Sequence, residues 1–580
     1  MTKKKVFWVL FLTFIVLVIP FLDIYDFNTK GEPREAIVSY NMLESGNWIL
    51  PRNSVGEIAY KPPFFHWCIA AVSYVWGEVN EFTSRLPSAV AFISLCLLTF
   101  SFFAKRRNMF TALLTVVICF TCNEFHRQGF NCRVDMMLTF FTVTAMYRLY
   151  RWYERGMKGV PWVAVLMMSL GVLTKGPIGT LLPCLVTGVF LLMRRVNFFK
   201  ALLWMCAIGI LSLVIPAFWY YAAYQQAGQE FLDLAMEENV GRMTNTMSYQ
   251  VHTNPWYANI LYLLVGFLPW VILLVISLFT LPYRTWREKM KQKDKPENSV
   301  WKRINTWLKE GDPIIVYSHA AVVVIFIFYC IPDCKRSVYL MPMYPFLAFF
   351  IARYIYWLVD HRNKSIKIYG GFISILGMML ITILVVNQFI HIPDSFFHGR
   401  RAQNSIDMVH QLHSIWNVWS WVQIAIPCLL CAYWWKWLRG EKSSYHRHVL
   451  DIILMTVALY IPIDAVVKPA ALNAQSVKHI AMEVEQKVPR GEGDLYEYIE
   501  DGERAKGDPV HFFELNFYMR DRIGLFTSKP EKGYLLIGAN DAELRLKDFE
   551  QEGYRFTEVY NSGKKTVMKQ QLKMYQFEHL

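Results

Sequence analysis

Residues 84–107 read SRLPSAVAFISLCLLTFSFFAKRR. From Ser84 to Ala104 the run is long and apolar enough to cross a bilayer, which takes roughly 20 such residues. It stops at three consecutive cations, Lys105, Arg106 and Arg107. An apolar run closed by a basic cluster gives both a span and a side, because short loops rich in Lys and Arg stay in the cytoplasm. Applied along the chain, the same reading finds about thirteen spans. They run from about Val6 to Leu22, Ser84 to Ala104, Met109 to Asn123, Met136 to Tyr150, Pro161 to Thr174, Pro177 to Met193 and Ala201 to Tyr221. The others run from about Ala258 to Leu281, Pro313 to Ile331, Val338 to Leu358, Ile368 to Phe389, Trp416 to Trp435 and Leu450 to Val467. Pro63 to Trp76 is apolar but short, and is expected at the interface or re-entrant.

Composition agrees. The 580 residues are 54% hydrophobic, 16% aromatic and 18% charged, with a mean hydropathy of +0.24. A water-soluble globular chain carries about 25% charge, so that class is excluded. The net charge of +14 does not indicate nucleic acid, because the basic residues sit in short clusters between apolar runs. These clusters are Lys3 to Lys5, Lys105 to Arg107, Arg148 with Arg151, Arg155 and Lys158, Arg194 with Arg195 and Lys200, and the segment from Tyr283 to Asp312. Arg362 with Lys364 and Lys367, and Lys436 with Arg439, Lys442 and Arg447, complete the set. All fall on one side of a thirteen-span path, with the N-terminus cytoplasmic.

The expected architecture is an α-helical polytopic membrane domain over 1–468 and a small C-terminal α/β domain over 469–580, outside the cytoplasm. In the tail, 493–499 and 533–538 read as strands, and 512–520 and 542–553 as helices. The first span is read as retained, since Pro20, Phe21, Leu22 and Asp23 offer no small-residue cleavage site. Among the eleven cysteines, the Cys119/Cys122 and Cys428/Cys431 pairs lie in apolar runs and read as core thiols. Cys330 and Cys334 flank a short polar loop and would bridge only if it faces an oxidising compartment; a chance placement near a membrane end is the favoured reading.

With orientation set, ionisable groups outside the cytoplasm become candidates for chemistry. The first external loop, about 23–83, holds Glu32, Arg34 and Lys61; the next ones hold Arg127, Arg133 and Asp135, then Lys175, then His252, then Lys335. Cations can clamp a phosphate leaving group, and carboxylates or a His can take a proton or a metal. Lys175 stands out because a lone Lys between two adjacent spans is costly without an anionic partner or ligand. Trp48, Tyr60, Trp256 and Tyr339 either stack on a sugar or form the aromatic belt at the bilayer interface.

The stretches Gly31-Glu32-Pro33-Arg34-Glu35-Ala36, 42–51 (MLESGNWILP) and Tyr60-Lys61-Pro62-Pro63 resemble the first periplasmic loop of the aminoarabinose transferase and protein mannosyltransferase-like enzymes. Arg133-Val134-Asp135, 173–177 (LTKGP), 252–257 (HTNPWY), 268–270 (LPW), and Lys335 with 339–342 (YLMP) continue the likeness. The resemblance implies a GT-C glycosyltransferase of a bacterial inner membrane, with the C-terminal domain periplasmic. The implied reaction moves a sugar from a polyprenyl (undecaprenyl) phosphate to lipid A, another glycolipid or a protein, with inversion. Membrane lipids are the other partner. It implies Glu32 and Asp135 as catalytic acids and, together with the charge logic, Arg34, Lys61, Lys175 and Lys335 as donor-phosphate residues; Tyr60 and Tyr339 join the donor-binding set as aromatic residues near the same surface. Two departures stand out. Gly31 occupies the place of the family's first loop aspartate, and Tyr60 that of a glutamate that helps hold a metal. A divalent metal is therefore left open, with His252 as its candidate ligand. The rival readings are a polyprenyl-lipid or solute transporter, which would place charges near the bilayer midplane, and an oligosaccharide polymerase or ligase.

Overall fold

The computed structural model describes residues 2–59, 61–241, 244, 246, 254–281, 283, 300–390, 392–398, 402–438, 444–500, 511–565 and 570–580. Two residues singled out above, Tyr60 and His252, lie outside the described residues. Among the described residues, eight helices are long and apolar enough to cross a membrane. Two pairs, bent by 68° at Met109–Thr121 with Asn123–Gly129 and by 104° at Ala258–Gly266 with Trp270–Leu278, bring the number up to ten. The other three expected spans are also helical: Val134–Glu154, of 21 residues, and Trp162–Lys175 and Ile178–Met193, of 14 and 16. The last two are shorter than a straight crossing needs, which is roughly 20 residues. The turn between them, with Gly176 at φ 87°, uses up the residues that would have lengthened them.

We label the helices that build the site in chain order: α1 Lys3–Val18, α2 Gly31–Ser45, α3 Phe64–Trp76, α4 Glu81–Ala104, α5 Met109–Thr121, α6 Asn123–Gly129, α7 Val134–Glu154, α8 Trp162–Lys175. Helix α4 begins in a reciprocal cap, the Asn80 side chain accepting from Thr83 N while Thr83 Oγ1 accepts from Asn80 N. It buries 72% of its apolar window, against 22% for the N-terminal span, so α4 is central and α1 peripheral. Stacked rings join them, with Phe120 of α5 at 4.4 Å from Phe14 and 5.3 Å from Phe92. Helix α2 starts with Glu32 and Pro33 in its first turn, where an acid suits the helix dipole and Pro loses no hydrogen bond, and ends at left-handed Gly46. Helix α3 has 13 residues, in keeping with an element that does not span.

The C-terminal domain carries one five-stranded sheet, from β1 Leu495–Tyr498, β2 Ile523–Leu525, β3 Lys532–Gly538, β4 Tyr554–Lys565 and β5 Gln571–His579, in the order β2-β1-β3-β5-β4. The first three strands are parallel and β5 runs antiparallel to both β3 and β4. Alternation along β3 sends Leu536 to a core with Ile480, Val484 and Leu515, and sends Leu535 and Ile537 to a second core with Phe526 and Phe577. All eleven cysteines are free thiols.

This domain is pinned to the first loop. The Tyr518 hydroxyl accepts from Phe27 N at 2.9 Å and donates to Glu81 at 2.8 Å. Asp521 accepts from Asn41 Nδ2 at 2.7 Å and from Ser54 N at 2.8 Å. Behind Asp521, buried His511 lies between it, at 3.5 Å, and Glu497, at 2.5 Å. Burial alone would lower this imidazole, but the carboxylates on its two nitrogens push it up to about 10.

Candidate active site

Helix periodicity sorts the carboxylates of the first loop. Residues four apart share a helix face, so Gly31 and Glu35 lie one above the other while Glu32 points elsewhere. Glu32 is buried against Arg85, whose Nε lies 3.0 Å from Oε1, and the same oxygen accepts from Cys132 N at 2.9 Å. Arg85 is itself fully buried; it donates to the carbonyls of Leu22 and Tyr25 and lies 4.0 Å from the Tyr25 ring centroid. Glu32 is thus committed to holding the start of α2, α4 and the segment before α7 together.

Glu35 faces the cationic group. One carboxylate oxygen pairs with Lys61 Nζ and lies 3.4 Å from Arg34 Nη2. The other lies 2.8 Å from His66 Nε2, in the first turn of α3. The sequence Lys61-Pro62-Pro63 leads straight into α3, so the lysine and the histidine arrive on Glu35 from the same short segment. Burial raises the cost of the Glu35 charge, but Lys61, His66 and Arg34 hold its carboxyl well below the usual carboxylate range. Lys61 shows the opposite imbalance. Burial first, then the neighbouring Arg34 and Arg133, lower it from 10.5 to about 8 despite its pair with Glu35.

Beside this group, Asp135 in the first turn of α7 pairs with Lys175 at the end of α8, and Lys175 Nζ lies 4.5 Å from the Tyr339 ring centroid. Arg133 acts electrostatically on both Asp135 and Lys61, which links the two groups. Lys335 is buried and donates to the Pro332 carbonyl at 2.7 Å; it joins neither ion-pair group. The structure therefore gathers Arg34, Lys61, Asp135, Lys175 and Tyr339, and sets Glu32 and Lys335 apart. Reading the sequence missed Glu35 and His66, and placed Arg133 among the external ionisable groups without giving it a role. The four-residue spacing from Gly31 was the available signal for Glu35. Among the described residues no group of three His, Cys, Asp or Glu side chains is placed to hold a metal.

The architecture is a bundle of membrane-length helices with a cation-rich, ion-paired site at the helix ends and an α/β domain pinned to the first loop. Comparison with known proteins shows where this architecture recurs. Residues 60–220 match the dolichyl-phosphate-mannose-protein mannosyltransferase family. The undecaprenyl phosphate-alpha-4-amino-4-deoxy-L-arabinose arabinosyl transferase of Shewanella sediminis is 24% identical over 462 residues, covering 77% of this chain and 75% of that one. A protein of Aquifex aeolicus is 28% identical over 352 residues, or 59% of this chain and 64% of that one. The crystal structure of ArnT from Cupriavidus metallidurans bound to undecaprenyl phosphate superposes with a TM-score of 0.68, at 17% identity over 99% of this chain and 98% of that chain. The chain thus shares the fold of the ArnT structure and is similar in sequence to these glycosyltransferases over part of its length.

Proposed function

We propose that the protein transfers one sugar from undecaprenyl phosphate to an acceptor at the outer face of a bacterial inner membrane. The acceptor is lipid A, another glycolipid or a protein. The observation that carries the reading is the charge imbalance around Glu35. Lys61 and Arg34 share one carboxylate, and burial with the neighbouring cations lowers the lysine to about 8, a penalty on its charge that an incoming anion would offset. The similar Cupriavidus structure holds undecaprenyl phosphate, which fits a phosphate as that anion.

In this reading Lys61 and Arg34 hold the donor phosphate, with Lys175 beside it. Glu35, Asp135 and Tyr339 hold the cations in place. The bond from the anomeric carbon to the phosphate oxygen breaks as the acceptor oxygen bonds from the opposite face, inverting the carbon and releasing undecaprenyl phosphate. Cations aimed at the leaving phosphate stabilise the charge that grows there, and bringing donor and acceptor into line from lipid and water is largely an orientation task. By resemblance, His252 meets the acceptor or a metal and Lys335 serves the donor, while Tyr60, where the resembling enzymes have a glutamate, is the aromatic residue that stacks on the sugar. Residues 1–468 form the membrane domain with a cytoplasmic N-terminus. Residues 469–580 form a periplasmic domain that covers the acceptor side. The test is mass spectrometry of lipids and proteins from cells expressing the wild type or Lys61→Ala. A sugar present only with the wild type supports the reading, and identical profiles refute it.

A further inference from the structure

Gly31 opens α2 with ordinary helical geometry, so its glycine is not demanded by backbone strain. It is demanded by space. A methyl group built on Gly31 would land on the guanidinium carbon and both terminal nitrogens of Arg133. The guanidinium therefore occupies the volume that a side chain at position 31 would take. The resembling enzymes place an aspartate at this position, so the local charge is inverted as well as the shape.

Arg133 is held by its backbone. The amide of Cys132, just before it, donates to Glu32 at 2.9 Å, and its own carbonyl accepts from Ser88 Oγ at 3.2 Å. Its guanidinium is half-buried, and no carboxylate among the described residues lies within ion-pair distance of it. Glu35 is taken by Lys61, His66 and Arg34, and Asp135 by Lys175. A guanidinium presents a planar fork matched to phosphate oxygens, and this one stands between the two ion-pair groups.

We propose that Arg133 is a phosphate-binding residue of this site, and that Gly31 is required because it leaves room for the guanidinium. The inference rests on the glycosyl-transfer reading and adds to it a residue and a steric condition. The phosphate is that of the polyprenyl donor or one carried by the acceptor lipid, and the measurement separates them. The purified full-length protein in nanodiscs is titrated with undecaprenyl phosphate, with undecaprenol, and with a bisphosphorylated lipid A or its dephosphorylated form. The variants are Arg133→Gln, Arg133→Lys, Gly31→Ala, and Gly31→Ala with Arg133→Gln.

Arg133→Gln is expected to weaken one of the two phosphate-bearing ligands roughly ten- to hundred-fold, the range of a charge-assisted hydrogen bond, and to leave the phosphate-free counterparts unchanged. Arg133→Lys should recover part of the loss. Gly31→Ala should behave like Arg133→Gln, because the flexible guanidinium moves aside while α2 keeps its backbone. The double variant should be no worse than either single one, as two changes to one contact are not additive. A loss confined to undecaprenyl phosphate assigns Arg133 to the donor, and one confined to bisphosphorylated lipid A assigns it to the acceptor. Folded Arg133→Gln binding both phosphate ligands within twofold of wild type would overturn the proposal, as would additive effects of Gly31→Ala and Arg133→Gln. Wild-type protein that binds undecaprenyl phosphate through Arg133 yet transfers no sugar would refute the glycosyl-transfer reading alone.

Discussion

Lys61 offers the sharpest handle on the site. Its ammonium is held near 8 by burial and by Arg34 and Arg133, against 10.5 for a free lysine, a difference worth about 3 kcal/mol at 1.36 kcal/mol per pH unit. Because the value is lowered, the protonated form is less favoured in the empty site than in a free lysine and gives way above pH 8. A phosphate placed against Nζ favours that form, so binding takes up a proton when the pH exceeds 8. The dissociation constant for undecaprenyl phosphate should therefore rise with pH. With the bound lysine protonated throughout, the factor 1 + 10^(pH − 8) gives about 25-fold weaker binding at pH 9.5 than at pH 7.5. Fluorescence or calorimetric titration in nanodiscs measures it, and Lys61→Met should bind weakly with a flat profile over the same window. Binding by the wild type that changes less than twofold from pH 7.5 to 9.5, or a Lys61→Met variant that keeps the full pH dependence, would refute the reasoning.

Other consequences follow from the same geometry. Glu32→Gln leaves the fully buried Arg85 without its carboxylate and should destabilise the protein by about 3–5 kcal/mol, seen as a lower melting temperature; a melting temperature equal to wild type would contradict the structural role given to Glu32. Glu35→Gln should let Lys61 fall further below 8 and shift transfer activity to lower pH, and an unchanged pH–rate profile would count against the pairing. Lys175→Met should cut transfer at least tenfold while Tyr339→Phe, which keeps the ring under the ammonium, stays near wild type; the ratio of the two rates decides. His511 is raised above its ordinary 6.5 to about 10, so the stability it contributes is fully present below pH 6.5 and lost as pH climbs through 10. Protection of the Ser54 amide, corrected for the intrinsic rise of exchange with pH, should fall in that window in wild type, and a corrected profile identical to that of His511→Gln would rule out His511 as support for the Asp521 contact.

The helical segments were legible because a bilayer demands long apolar runs. Among the described residues each of the thirteen expected segments is helical, two of them as bent pairs, and eight to ten are long and apolar enough to cross a membrane. The tail was read in part. Its strands β1 and β3 are short and rich in Leu and Tyr, whereas β4, at the sheet edge, and β5, between β3 and β4, interleave charged and aromatic residues, which gave no clear one-sided pattern. At the site, Glu32 drew attention by matching a family pattern, yet Arg85 inside the apolar run of α4 already demanded a buried anion, and Glu32 supplies it. Glu35 was legible only through its place on the Gly31 face. Arg133 was legible as an external cation, but its packing against Gly31 was not, because nothing in a sequence says that one side chain fills the space left by a glycine a hundred residues away.

The central claim is glycosyl transfer at a phosphate-binding site, and reconstitution tests it most directly. Purified protein in liposomes is given undecaprenyl phosphate carrying a radiolabelled sugar, together with native membrane lipids, and both labelled acceptor and released undecaprenyl phosphate are measured. The account predicts equimolar appearance of the two with the wild type and loss of both in Lys61→Ala. Release of undecaprenyl phosphate by Lys61→Ala at the wild-type rate, or no transfer by the wild type from any undecaprenyl-linked sugar, would contradict it.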